Sequence, residues 1–435
     1  MRRGKRRNLV IEICSLVLLY IGNGERLNEI ANDYDVQTYF RNYKNLIPHC
    51  DQSTQNSKFK KRTTGTCIYI SPEGALIHAR DLHDEAGSGK QMLMDMMIRG
   101  VLNEISNEKN GLFGGGGTDK SNSTFPRRNW ISFLMIYTAS GPVRDEQFPV
   151  LAFGKRDPDI QPGLLIPNPF FISPRWWDQI AASSVQESTL QPWYRRKNKL
   201  LFRGACGPGA HARFELLRIR DPHNLLDVGF NKVDGYQSIE ECVVDLANKL
   251  NRTNDDINFI LNHRIKSLVP QSNFSQYRYL MHMPGSATGS YSRNLQYLWS
   301  HGSIIFIWKH TASEWYYQHL RDGVHYVSVD QNTIYPLLLS LQVNPHLQLK
   351  MRRGSKVFAR NYLSGRTLTN RWSAILSILA ERQAQDIPKI NKDIACTCDT
   401  ELLSQNAIPK CQKCEITKKR GRAVAKFVGL IPKSS

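Results

Sequence analysis

The run Ile304–Trp308, IIFIW, is apolar at every position. A strand alternates its side chains between two faces, so both faces of the sheet holding this one must be covered, and helices laid over a parallel sheet do that. The neighbouring sequence supplies both kinds of element. Trp130–Tyr137 and Pro149–Phe153 read as strands, as do Lys199–Arg203, Leu225–Val228 and His325–Val329. Helices are expected near Ala212–Arg218, Ser292–Ser300 and Ser313–His319. Upstream, Ala75–Asn107 reads as a helix with Met92, Leu93, Met96, Met97, Val101 and Leu102 near 3.6-residue spacing, and Ser355–Arg382 as a long amphipathic helix or helix pair. This alternation predicts the α/β class.

At 435 residues the chain is long enough for two or three packed units, and 41% hydrophobic with 10% aromatic residues is too apolar for global disorder. Lys and Arg number 58 against 38 Asp and Glu, an excess of +20. Most of that excess sits at the two ends: MRRGKRR at residues 1–7 carries five positive charges, and Pro409–Ser435 carries eight basic residues against the single acid Glu415. The middle is only mildly basic, which argues against a nucleic-acid partner for the folded body.

The basic start is followed by the apolar run Leu9–Ile21 and then by Gly22-Asn23-Gly24, the layout of a secretory signal over residues 1–24, either cleaved or kept as a type II anchor. Both alternatives deliver the chain to the endoplasmic reticulum or Golgi lumen, or to secretion. Eight of the nine cysteines lie beyond that run, an even number suited to disulfides. Asn122, Asn251 and Asn273 each open a glycosylation sequon.

Several short motifs carry little. Gly87-Ser88-Gly89-Lys90 lacks the first glycine of a phosphate loop and has Gln91 where a magnesium-binding hydroxyl belongs. Asp157 and Asp159 are spaced to chelate a divalent ion, but such pairs are commonplace in surface turns. Cys396, Cys398, Cys411 and Cys414 have the pairing of a four-thiolate zinc site, and in a luminal chain the same spacing reads more simply as two disulfides.

The segments WYRRKNKLLFRGACGPGAHARFELL, from Trp193, and GSYSRNLQYLWSHGSIIFIWKHTASEWYYQHLRDGVHYVSV, from Gly289, carry a more specific signal. A Trp and Lys precede a strand ending Phe-Arg-Gly. A Tyr-Ser-bearing helix start, a Gly-Ser before an apolar strand, a Trp-containing helix and a Val-His-Tyr strand follow in order. In this the chain resembles the Rumi-type protein O-glucosyltransferases of glycosyltransferase family ninety, over about Ile131–Arg382.

The resemblance implies a GT-B-like fold of two Rossmann-like domains with parallel sheets. The acceptor-side domain would span residues 25–191 and the nucleotide-sugar-binding domain 192–354. A helix over 355–385 would return to the first domain, and 386–435 would form a Cys-containing basic tail. It implies an inverting transfer of glucose or xylose from a UDP-sugar co-substrate to a hydroxyl of a protein or glycan acceptor, with no metal and no other cofactor.

Residues carried over as UDP-sugar contacts are Arg203, Ala205 and Arg213, and Gly289, Ser290, Tyr291, Ser292, Arg293 and Asn294 at the helix start. A diphosphate leaving group gathers charge as the sugar bond breaks, so fixed donors and a guanidinium suit it. One departure stands out. The family's first strand ends in an Asp that serves as base, and Ser140 stands in its place. A serine hydroxyl is no general base near neutral pH, so either Asp145 reaches in from the next loop, or the reaction differs, or the chain is a silent sugar- or protein-binding relative.

Overall fold

The computed structural model describes residues 35–41, 65–70, 76–79, 88–110, 131–136, 150–155, 163–285, 294–383 and 395–397. Their strands form two sheets. Strands β1 (Gly65–Ile70), β2 (Leu76–Ala79), β3 (Ile131–Ile136), β4 (Val150–Ala152), β5 (Leu164–Leu165) and β11 (Ala395–Thr397) build the first, in the order β11-β2-β1-β3-β4-β5. Strands β6 (Lys197–Cys206), β7 (Leu226–Val233), β8 (Tyr277–His282), β9 (Ile304–Trp308) and β10 (Tyr326–Val329) build the second, in the order β10-β9-β8-β6-β7.

Every pairing in the second sheet is parallel. Its strands bury alternate residues in two different cores. Leu200, Phe202, Tyr279, Met281, Ile304, Phe306 and Trp308 face one core, while Leu201, Leu280, Ile305 and Ile307 face the other. The apolar run at 304–308 is thus explained, since each of its faces has its own cover. The first sheet differs from the expectation of parallel pairing throughout. Strands β3, β4 and β5 are parallel, but β1, β2 and β11 pair antiparallel. Chain order accounts for part of this, because β1 and β2 are separated by too few residues for a parallel crossover.

The helices are α1 (residues 35–41), α2 (Ser88–Asn110), α3 (Pro174–Leu190), α4 (His211–Leu217), α5 (Ile239–Lys249), α6 (Asn254–His263), α7 (Leu295–Leu298), α8 (Ile334–Gln342), α9 (Pro345–Tyr362) and α10 (Gly365–Arg382). Short polar side chains start several of them. Ser173 accepts from the Trp176 amide with Pro174 in the first turn of α3, Ser238 accepts from the Glu241 amide at α5, and Thr253 and Ser364 cap α6 and α10 likewise.

Three sequence expectations are corrected. The helix expected over Ala75–Asn107 splits, because Leu76–Ala79 pairs with β1 as strand β2 and helix begins only at Ser88. The helix expected at Ser292–Ser300 shrinks to the single turn α7 and a 3-10 turn at Trp299–His301; every residue from Leu295 to His301 is buried, which leaves no solvent face for a longer amphipathic helix. Around Ser313–His319 only Tyr317–His319 forms a 3-10 turn, while Ser313 bridges to Lys155 and Glu314, Trp315 and Tyr316 are buried in succession. The expected tail at 386–435 also contributes structure, since residues 395–397 form β11 on the edge of the first sheet.

The two sheets share one core. Leu151 and Phe153 beside β4 lie in the same apolar cluster as Ile305 of β9 and Trp372 and Leu376 of α10. Helix α10 packs against α2, α3 and β3. Its buried Arg371 reaches Asp35 of α1 and donates to the Leu165 carbonyl at 2.9 Å.

Candidate active site

In the second sheet the chain runs outward from β6 to β7 on one side and from β8 to β9 and β10 on the other. The connections therefore diverge between β6 and β8, which opens a crevice beyond the carboxyl ends of those two strands, at Cys206 and His282. The register of β6 against β7 shifts between Gly204 and Ala205, an irregularity of the kind that bends a strand near its end. Cys206 is bonded to Cys242 of α5 in a disulfide that pins the end of β6.

Arg213 straps the crevice. From α4 its guanidinium donates to the Ala205 carbonyl on one side (2.9 Å) and to the Pro284 carbonyl just past β8 on the other (3.2 Å). Its Nε–H is buried and finds no acceptor among the described residues. Burial lowers the Arg213 pKa, partly offset by Asp234, and among the described residues no carboxylate bonds to it. The result is a fixed, half-desolvated cation with a donor to spare, at the place where sheets of this kind receive ligands.

Beside it stand two histidines. His282 ends β8 with Nδ1 unpartnered, and its Nε2 lies 3.5 Å from the Tyr317 hydroxyl. The His310 ring lies 5.8 Å from that of His282. Burial, helped by His310 and Arg213, holds the His282 pKa well below the usual range, and burial lowers His310 as well, so both are neutral at pH 7. Burial and the nearby Glu314 push the Tyr317 phenol far upward, which keeps it a donor.

The first half meets this floor along one seam. Lys155, just past β4, exchanges two backbone hydrogen bonds with Ser313, at 2.9 and 2.7 Å. Asn168 donates to the Glu314 carboxyl at 2.7 Å and its Oδ1 accepts from Gln296 at 3.3 Å. The Tyr297 hydroxyl donates to the Phe170 carbonyl at 2.8 Å. Burial pushes the Glu314 carboxyl up to about 8, so it is mainly protonated near neutral pH.

Of the residues expected from the sequence, Ala205 and Arg213 are brought together by the strap itself. Arg203 is placed elsewhere. Its guanidinium pairs with Asp227 Oδ1 at 2.7 Å and donates to the carbonyls of Asp227 and Ser267, so it ties β6 to β7 and to the segment after α6. Asn294 sits at the start of α7 with no side-chain cap bond, two residues from Gln296. A helix of four residues brings little dipole to a phosphate. Gly289, Ser290, Tyr291, Ser292 and Arg293 lie outside the described residues, as do Ser140, Asp145, Cys398, Cys411 and Cys414.

Sequence reasoning missed His282, His310, Tyr317, Glu314 and Asn168. The signal for His282 was present in the polar end of YRYLMH, a strand whose carboxyl end opens on the crevice. The pairing of Asn168 with Glu314 had no local signal, as 146 residues separate them.

Comparison with known proteins agrees with this region. The chain is 24% identical to human Protein O-glucosyltransferase 1 over 206 residues, 46% of each chain. The mouse and cattle proteins of that name are each 23% identical over the same length. The chain thus spans about half the length of the curated relatives it matches. Among solved structures, the GtfA/B complex aligns at 12% identity over 44% of this chain and 38% of that one, with a TM-score of 0.30, too slight a likeness to argue from. The model of the family described as Glycosyl transferase family 90 matches residues 166–419. That stretch is more than half of the chain and holds all five strands of the parallel sheet, the Arg213 strap and both sides of the crevice, and by it the chain belongs to glycosyl transferase family 90.

Proposed function

We propose that this chain is a glycosyltransferase that moves a sugar, glucose or xylose, from a UDP-sugar to a hydroxyl group of a protein or glycan acceptor. The observation that carries the reading is Arg213, held across the β6/β8 crevice with a buried N–H unspent. Departure of UDP concentrates charge on the β-phosphate, and a pre-placed guanidinium stabilises that charge without reorganising. Neutral His282, near Arg213, and the Tyr317 phenol beside His282 supply further hydrogen-bonding groups for the same charge. Ala205 and residues 289–294 complete the donor contacts in this reading, and the reaction inverts the anomeric centre by in-line attack of the acceptor oxygen. Asp145 is the proposed base. No metal or other cofactor is assigned.

The names of the relatives speak for a protein hydroxyl and a glucosyl group. The Cys206–Cys242 disulfide favours an oxidising compartment, in keeping with the secretory layout of residues 1–24, whether that segment is removed or retained as an anchor. Calorimetric titration with UDP tests the site. Arg213→Ala loses a charge-assisted contact of about 1.5 to 3 kcal/mol, so affinity falls at least about tenfold. Unchanged affinity would remove Arg213 from the donor site.

A second reading is favoured by Ser140, where the family's acid is missing. It makes the chain a sugar- or protein-binding relative without turnover. UDP release from UDP-glucose or UDP-xylose in the presence of acceptors separates the two.

A further inference from the structure

The opposite end of the parallel sheet carries a group of arginines that the donor site does not use. Trp193, just before β6, is half-buried and donates its indole N–H to Gln348 of α9 at 3.0 Å. Three guanidinium groups gather on its ring, with Cζ of Arg352 4.2 Å, Arg278 5.5 Å and Arg196 5.9 Å from the centroid. They come from three separate elements: α9, the start of β8 and the approach to β6. None pairs with a carboxylate among the described residues. Arg196 donates to backbone carbonyls and to Ser188 and Ser303, Arg278 to the Trp193 and Tyr194 carbonyls and Asn198, and Arg352 to the Gly302 carbonyl.

The segments that build this end, residues 188–198, 271–280, 300–304 and 341–357, contain no Asp or Glu at all. Packing like charges together without a counter-charge costs stability. Burial and Arg352 together bring the Arg196 pKa down to about 10, and burial and Arg278 lower that of Arg352. Exposed Arg195 and Lys356 add to the charge, the latter one helical turn beyond Arg352 on the same side of α9.

Large apolar side chains stand out among these charges. Leu190 is 74% exposed, Tyr194 72%, Val343 82% and Leu349 42%. All four belong to segments tied into the cluster. Gln191, after Leu190, accepts from Arg196, and the Tyr194 carbonyl accepts from Arg278. Gln348, before Leu349, bonds both Trp193 and the Leu341 carbonyl two residues ahead of Val343. Basic groups without acids, interleaved with Trp, Tyr and protruding aliphatic side chains, match the layering of an anionic bilayer surface: phosphates, then the headgroup boundary, then acyl chains.

We propose that this amino-terminal end of the second sheet is a peripheral docking surface for anionic phospholipid membrane. No helix among the described residues is long and apolar enough to cross a bilayer, and the contact proposed for this end is one of surface. The strands run parallel from this end to the other, so a docked molecule turns the β6/β8 crevice away from the lipid. A strand of six residues such as β8 sets the two apart by roughly 20 Å. The proposal does not depend on what the crevice binds.

The test is co-sedimentation of the full chain with vesicles of phosphatidylcholine alone or with about one third phosphatidylserine. Neutral vesicles report whatever the apolar run Leu9–Ile21 contributes. Preference for the anionic vesicles, lost at high salt, is the expected result. Arg195→Glu with Lys356→Glu lowers that binding at least about tenfold, because each basic group near the surface contributes on the order of a factor of five. Tyr194→Ser with Val343→Ser weakens it as well, at unchanged charge. A thermal melt matching wild type shows that each variant is folded. Equal binding of wild type to both vesicles overturns the proposal. So does a charge-reversed protein that binds like wild type, which would move lipid binding to the basic residues 409–435. Patch-dependent capture of polyglutamate without any preference for anionic vesicles would overturn it in favour of an acidic protein partner.

Discussion

Asn168 of the first half donates a 2.7 Å hydrogen bond to Glu314 of the second, and the Glu314 carboxyl is buried with its other oxygen unpartnered among the described residues. A proton on this carboxyl is therefore part of how the halves are joined. Burial raises its pKa to about 8 from an ordinary 4.5. Between these values the unfolded chain has released the proton and the folded chain has kept it, so this group's contribution to stability is full below about pH 4.5 and is lost as pH rises toward 8. The slope approaches about 1.4 kcal/mol per pH unit at most. Glu314→Gln removes it, so denaturant titrations at pH 5 and pH 8 should differ less for the variant than for wild type. Parallel pH dependence of the two proteins would show that Glu314 does not titrate in this window.

Arg203 and Arg213 should separate on substitution. Burial pushes the Asp227 carboxyl up, but hydrogen bonds from Tyr277 and Arg203 outweigh it and hold the pKa below the ordinary value. Arg203→Ala strips away one of those partners and lowers stability by roughly 1.5 to 3 kcal/mol. UDP affinity should change by less than about twofold. A tenfold loss of UDP binding with normal stability would return Arg203 to the donor site.

The Cys206–Cys242 disulfide closes a loop across a separation of 36 residues. Chain entropy assigns a cross-link of that span about 4 kcal/mol, and native-state relaxation usually leaves about 2 to 4. Cys206→Ser with Cys242→Ser should lower the denaturant midpoint accordingly, and reductant should have no further effect through this pair. An unchanged midpoint in the double variant would mean that the bond constrains little.

The base is tested directly. Asp145→Asn should lower turnover by about 10² to 10⁴ with UDP affinity nearly intact, since a base acts on the acceptor proton and not on the diphosphate. Ser140→Asp should raise turnover if the strand end is where a carboxylate works best. Wild-type turnover in Asp145→Asn removes Asp145 from the mechanism.

The readable parts of this chain were those whose burial is written in consecutive residues. Strand β9 is apolar throughout, and both β4 and α10 carry local patterns that match their faces. Helix α3 escaped notice, because its core-facing Trp177 lies among Ser, Gln and Ala, and its start depends on a cap at Ser173. Strand β2 reads as part of a helix in the sequence because Leu76–Ala79 is too short to show a period of two. For the site, Arg213 was legible through its place after Phe202-Arg203-Gly204, whereas the role of Arg203 turned on Asp227, 24 residues away. The seam of Asn168, Gln296 and Glu314 exists only once two sheets have docked, which no window of sequence contains.

Strand β11 lies outermost in the first sheet, with Cys396 opposite His78 of β2. Its backbone groups satisfy a row of donors and acceptors along β2 that would otherwise be open to pairing with another molecule. A chain cut soon after α10 keeps every strand of the parallel sheet yet bares that row. Such a shortened protein is expected to self-associate through strand pairing, so β11 acts as a guard against aggregation as well as a member of the sheet.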